Sequence, residues 1–280
     1  MTPSTLIDGF AFIEGPRWQG SALWFSDMHQ DAVFRTDLTG ETERIIEVPE
    51  QPSGLGWLPN GDLLVASMLD RTVYRYRPGE TLTPYADLSR IAERRINDML
   101  VDRTGRAWVG NFGFMFDEGE PVAPGTLARI DPDGSTHAAA SGLLFANGMA
   151  ILPGTDTLIV AETYGARLTA FDIGADGTLT GQRVWASLPD GAVPDGICVD
   201  ESGAVWVASP TTGSVLRLLE GGTVTDTIST GRQAIACALG GPDRDHLFIS
   251  TSASTRRSTC RDLKSARIEM VCVRVPGPKS

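Results

Sequence analysis

Four oxygen-bearing side chains occupy the same point in four short segments that each precede a hairpin. The segments are Ile13-Glu14-Gly15-Pro16, Ile96-Asn97-Asp98-Met99, Ala146-Asn147-Gly148-Met149 and Pro194-Asp195-Gly196-Ile197. Pro52-Ser53-Gly54-Leu55 and Ala234-Ile235-Ala236-Cys237 complete the set of six. If the repeats are related by rotation about one axis, Glu14, Asn97, Asn147 and Asp195 converge in one polar pocket. Two carboxylates and an amide oxygen make a hard site, suited to Ca²⁺, Mg²⁺ or Mn²⁺, although oxygen ligands also accept Zn²⁺ or Fe²⁺. None of His29, His137 and His246 lies in such a segment and no His-Glu-x-x-His occurs, which argues against a histidine-based metal site. Serine catalysis finds no Gly-x-Ser-x-Gly elbow. Asn147-Gly148 alone could be a turn signal. Its register with Glu14 and Asp195 favours a ligand instead.

The elements that must position these residues repeat. After each segment come a turn, a second strand rich in β-branched and aromatic residues, and a third strand. Turns such as Pro59-Asn60-Gly61-Asp62 and Arg103-Thr104-Gly105-Arg106 supply the positive φ that hairpins need. Second strands are expected at 22–26, 63–67, 107–111, 157–162, 204–209 and 246–250, and a sixth third strand at 266–273. A repeat of about 40 to 50 residues holding four strands predicts an all-β fold, a six-bladed β-propeller of four-stranded blades. The six copies fill residues 1–280 as a single domain. No fourth strand follows the sixth copy, so the apolar Leu6-Ile7 stretch is expected to supply it and close the ring. Only residues 88–94 suggest a short helical turn. Asp131-Pro132-Asp133-Gly134 and residues 172–177 look like calcium loops but lack the bidentate Glu, and turn chemistry accounts for them better.

Twenty-four Lys plus Arg against 35 Asp plus Glu give a net charge of −11, which disfavours nucleic acid and anionic membranes as partners. A small-molecule substrate fits better. With no run of about 18 apolar residues and no signal-peptide pattern, the reading is a cytoplasmic protein. A closed propeller exposes few strand edges, and a monomer is expected. Cys198, Cys237, Cys260 and Cys272 form no Cys-x-x-Cys. Cys198 and Cys237 read as buried thiols, whereas the basic neighbours of Cys260, Arg256, Arg257 and Arg261, could lower its pKa.

Glu14-Gly15-Pro16-x-Trp18, Arg95-x-Asn97-Asp98, Asn147-Gly148 and Pro194-Asp195-Gly196, in order and each in its own blade, resemble the SMP-30/gluconolactonase/LRE family over essentially the whole chain. That resemblance implies one divalent cation bound by Glu14, Asn147 and Asp195. It also implies that Asn97 lies beside the metal and substrate, that Arg95 points at substrate oxygens, and that the reaction is hydrolysis of a lactone. The cation would polarise the carbonyl while Asp195 receives a proton from the attacking water. A metal-bound carboxylate is a poor base, so Asp195 needs a free second oxygen or partial dissociation.

Two features depart from the sugar-lactone members of the family. Met99 follows Asn97-Asp98 where Gly is frequent, and Asn111-Phe112-Gly113-Phe114-Met115-Phe116 stands where polar, substrate-facing residues are usual. Phe112 and Phe114 either pack a lid or line a pocket for a less hydroxylated substrate. Glu162-Thr163-Tyr164 could reach the rim, while Asp27, Asp200 and Trp206 read as framework. The leading reading is a metal-dependent lactonase with sugar lactones as the default class. The alternatives are other carbonyl or phosphoester chemistry on a more apolar substrate, and a non-enzymatic calcium-binding propeller.

Overall fold

The computed structural model describes residues 2–279. Six four-stranded antiparallel sheets form the blades of a β-propeller. The innermost strands are Ile13–Gln19, Pro52–Trp57, Ile96–Val101, Ala146–Ile151, Ile197–Val199 and Gln233–Gly240. Each touches the next around the axis, and the sixth touches the first. The fold is the one expected. Strand Ser4–Phe10 pairs with Ala266–Cys272, setting Thr5 opposite Glu269 and Ile7 opposite Ile268, and so supplies the outer strand of blade six. Its last residue, Phe10, meets Phe25 of blade one edge-on at 5.2 Å and Phe34 at 5.3 Å, which bridges the first and last blades.

The residues aimed at the axis sit on irregular backbone. The pairing of inner and second strands slips between Glu14 and Arg17, Pro52 and Leu55, Ile96 and Met99, Ala146 and Met149, and Ala234 and Ala236. In blade five the regular strand begins only at Ile197, just past Asp195. A bulge inserts an extra residue and turns its side chain out of the alternation of the sheet, which here directs one side chain per blade toward the channel. Glycine follows the bulged residue where neighbouring strands come closest. A Cβ at Gly54 would lie 2.1 Å from the backbone nitrogen of Met99, and one at Gly148 2.5 Å from that of Ile197. Asn147-Gly148 is therefore not a turn. Its glycine permits close packing of inner strands within the sheet-lined channel.

Residues 88–94 form a hydrogen-bonded turn, with the amides of Ile91 and Ala92 both donating to the Leu88 carbonyl. The α-helix that does form, Arg257–Leu263, lies in the connection between the second and third strands of blade six. Trp108 and Trp206 are fully buried between blades. Among the described residues no helix is long and apolar enough to cross a membrane. A cavity of about 1490 Å³ opens at the far end of the channel, where the inner strands finish, lined by residues such as Trp18, Asp102 and Pro153 and by Cys198 and Cys237. The thiols of those two cysteines lie 3.7 Å apart.

Because Phe10 joins the closing strand to blade one, Phe10→Ala is expected to lower the free energy of unfolding by about 2 kcal/mol, below the range for a fully buried phenylalanine. Urea unfolding of the variant and parent at one pH measures this. An unchanged midpoint would show that closure does not depend on the aromatic bridge.

Candidate functional site

The six equivalent positions are Glu14, Ser53, Asn97, Asn147 and Ile235 at the bulges and Asp195 just ahead of its strand, one from each blade. A continuous hydrogen-bond chain joins four of them. Ser53 Oγ donates to Asn97 Oδ1 at 3.2 Å, Asn97 Nδ2 to Asn147 Oδ1 at 3.0 Å, and Asn147 Nδ2 to Asp195 Oδ1 at 2.6 Å. Asn147 Nδ2 also donates to Thr163 Oγ1 at 3.1 Å. Glu14 accepts from the amide of Gly15 at 3.3 Å through Oε2. Sequence reasoning passed over Ser53 and gave Thr163 only as a rim residue. The register that revealed Asn97 also pointed to Ser53.

Electrostatics oppose ionisation at this ring. Burial first, then the charges of Asp195 and Asp98, lift the Glu14 carboxyl well above its ordinary value. Burial likewise raises Asp195, to about 8; the Asn147 hydrogen bond lowers it and the charge of Asp98 raises it. Asp98 is itself buried and paired with Arg17, whose Nη2 lies 3.1 Å from Asp98 Oδ1 and donates to the Met99 carbonyl at 2.9 Å. Three carboxyls thus share the enclosure with one guanidinium, and ionised together they would leave an excess of negative charge that a divalent cation would offset.

The donor set fits such an ion. Carboxylate and carboxamide oxygens are the ligands hard cations take. The amide chain can also present either polarity. Turning both amides over keeps the Ser53–Asn97 and Asn97–Asn147 bonds, because a hydroxyl both donates and accepts, and it turns the Asn147 oxygen toward the Asp195 side. Asp195 Oδ2 takes no hydrogen bond from the described residues, so one oxygen is held while the other stays free.

Residues 12–253 match the family described as "SMP-30/Gluconolactonase/LRE-like region". The chain belongs to that family. It is 27% identical over 256 residues to a 6-deoxy-6-sulfogluconolactonase of Pseudomonas putida, covering 87% of this chain and 84% of the relative. It is 26% identical over 262 residues to a pentonolactonase of Haloferax volcanii, covering 90% and 86%. Among solved structures, a gluconolactonase from Xanthomonas campestris superposes with a TM-score of 0.76 at 25% identity, covering 98% of this chain and 89% of the other. A calcium-binding protein, regucalcin, from Agrobacterium tumefaciens superposes at 0.82 and 20% identity, over 99% and 95%, and shows the shared fold.

Within this SMP-30/gluconolactonase/LRE-like propeller the remaining expected site residues are placed as follows. Arg95 bonds Asp117 Oδ2 at 2.8 Å through Nη1, so its guanidinium is engaged by the 3-10 turn Phe116–Glu118. Phe112 and Phe114 are buried in an apolar cluster with Phe12, Met28, Met68, Phe145, Ile235 and Cys260. The side chain of Phe116 lies outside the described residues. Glu162 is fully buried and bonds Arg167, Thr169 and the Leu144 amide, which outweigh its burial and hold its pKa down. Asp27 accepts from the amides of Ala11, Phe12, His29 and Gln30. Both carboxylates fasten the loops above the ring. Asp200, buried with Arg217, is framework as expected. Cys260 corrects the sequence reading. Its thiol turns inward to the Ser254 carbonyl, and burial raises its pKa in spite of the neighbouring arginines.

The raised carboxyl values set a pH dependence. An unfolded aspartate titrates near 4, and Asp195 in the fold at about 8. Protonated on both sides below pH 4, it then affects stability little. As pH rises from 4 to 8 the fold retains a proton that the unfolded chain gives up, so the contribution grows steadily destabilising and is complete above 8. Chelated protein should melt lower at pH 8 than at pH 5 through this group, and Asp195→Asn should raise its Tm much more at pH 8 than at pH 5. A saturating divalent cation should stabilise the parent more at pH 8, by about 2.7 kcal/mol at a hundred times its Kd. Thermal melts test this, and equal pH dependence in parent and Asp195→Asn would contradict it.

Proposed function

We propose that this chain is a metal-dependent hydrolase of small cyclic esters, a lactonase. The observation that carries the reading is the convergence of Glu14, Asn147 and Asp195 on one enclosed ring, with a second Asp195 oxygen left free. The lactonase names of the two relatives support the chemistry, and the calcium-binding name of the regucalcin structure supports a divalent ion.

Glu14, Asn147 and Asp195 would hold the cation, which supplies Lewis acidity to the ester carbonyl. Asp195 Oδ2 takes a proton from the water that adds to the carbonyl carbon. When the ring C–O bond breaks, the same carboxyl returns that proton to the departing alkoxide, leaving a hydroxy acid. This division of labour answers the objection that a ligating carboxylate is a weak base: with the Asn147 amide turned, Oδ1 would face the cation in place of the Asn147 nitrogen, and the proton passes through the other oxygen, which takes no hydrogen bond from the described residues. Asn97 fixes the Asn147 amide from behind, and Ser53 fixes Asn97. Second-sphere partners of this kind usually matter about 10- to 100-fold in metal affinity or activity. Arg95 reaches substrate oxygens on this reading only by exchanging Asp117 for the substrate.

A pH-stat assay over a lactone panel, with chelated protein and then with Ca²⁺, Mg²⁺, Mn²⁺, Zn²⁺ or Fe²⁺ added, tests the proposal. Turnover should vanish on chelation and return with at least one ion. Asp195→Asn should lower kcat by about a thousandfold, and Asn97→Ala by about 10- to 100-fold. Full turnover in chelated protein, or in Asp195→Asn, would overturn it.

A further inference from the structure

Directly above the ring lies a second tier, and its chemistry is almost entirely hydrocarbon. Four backbone bonds define it. The amides of Met28, Met68, Phe112 and Thr163, each just past a second strand, donate to the carbonyls of Phe12, Gln51, Arg95 and Phe145 at 2.9, 3.0, 3.1 and 3.1 Å. The four acceptors stand two residues ahead of Glu14, Ser53, Asn97 and Asn147, so both partners in each bond lie beside the mouth of the ring. Five of these eight residues, Phe12, Met28, Met68, Phe112 and Phe145, join Phe114 and Ile235 in one apolar cluster drawn from five blades. Ile235 is itself the sixth ring residue, so the hydrocarbon surface reaches the level of the ligands. Phe112 stacks on Phe145 at 4.2 Å, and Phe114 meets Tyr164 edge-on at 4.9 Å, carrying the wall outward to a tyrosine that is 46% exposed.

The three polar side chains among these eight residues are already engaged, and the one further polar group against the tier, the buried imidazole of His29, packs on Phe12 at 5.3 Å. Arg95 bonds Asp117, and Thr163 accepts from Asn147. Gln51, with its amide turned, accepts from Arg257 at 3.0 Å. A polyhydroxylated ring entering here would give up its bonds to water and meet Phe, Met and Ile. Met28 and Met68 are unbranched and can shift to admit a substituent of irregular shape.

Resting on the hydrolase reading above, we infer that the substrate is a lactone bearing an alkyl or aryl substituent in place of sugar hydroxyls, with the carbonyl at the polar ring and the substituent against Met28, Met68, Phe112 and Ile235. The ester chemistry is that of the relatives named for sugar lactones; the recognition is reversed in polarity.

The test compares kcat/KM of the metal-restored full chain for glucono-1,5-lactone and for δ-valerolactones carrying a pentyl or phenyl group. The substituted lactones should be preferred by at least about a hundredfold, the scale on which a single unpartnered hydroxyl is discriminated. Met28→Gln and Met68→Gln, close in volume, should narrow that ratio by about tenfold or more each through KM of the substituted lactone. Preference for glucono-1,5-lactone would overturn this inference and leave the lactonase reading standing. Turnover of none of the lactones with any ion would overturn the lactonase reading, and this inference with it. The parent protein alone decides between these outcomes, so a variant that fails to fold does not obscure them.

Discussion

The enclosure of Glu14 and Asp195 at one point on the axis is the constraint on which the rest of this structure depends. Two carboxylates out of water, with a third at Asp98, oppose folding, and both ring carboxyls hold their protons far above the usual range. Arg17 offsets part of this through Asp98, and the Ser53–Asn97–Asn147 chain fixes an oxygen of Asp195 in place. Such a site persists only if the surrounding fold supplies the difference. It does so through interfaces between blades in which tryptophan, phenylalanine and branched aliphatic residues are fully buried, and through a ring that closes on itself by way of Ser4–Phe10. The same arrangement explains why glycine must follow the bulged residues at Gly54 and Gly148, since any side chain there would force neighbouring inner strands apart and open the ring.

The two ends of the channel are built for different purposes. Near the start of the inner strands lie the polar ring and, over it, the apolar tier fastened by Asp27 and Glu162. At the far end the channel opens into the large cavity, which has none of the ring residues in its lining. The proposed site therefore lies apart from that cavity, among buried residues, where electrostatic interactions are stronger than in water.

Much of this was legible from the chain. Six-fold repetition gave the propeller, and the Leu6-Ile7 stretch gave its closure, because a blade lacking one strand must find it elsewhere. Register alone singled out Glu14, Asn97, Asn147 and Asp195, and the structure joins the last three directly. Ser53 lay in the same register but carries a hydroxyl, which sequence reasoning did not count as a ligand type. The apolar tier was visible only at Phe112 and Phe114. Phe12, Met28, Met68 and Phe145 stand beside the mouth because of backbone bonds between strand ends, and no periodicity reports those. The partner of Arg95 depends on a three-residue 3-10 turn, and the inward thiol of Cys260 on a seven-residue helix, both too short to announce themselves by pattern.

The most direct test of the central claim is calorimetric titration of Mn²⁺ into chelated protein at pH 7 in buffers of differing ionisation enthalpy. If Glu14, Asn147 and Asp195 hold the ion, one Mn²⁺ binds per chain and displaces at least one proton, because carboxyls protonated in the metal-free ring must ionise to bind it. Binding should fall sharply in Glu14→Gln and Asp195→Asn. Binding without proton release, or with undiminished affinity in both variants, would place the ion elsewhere and contradict the account.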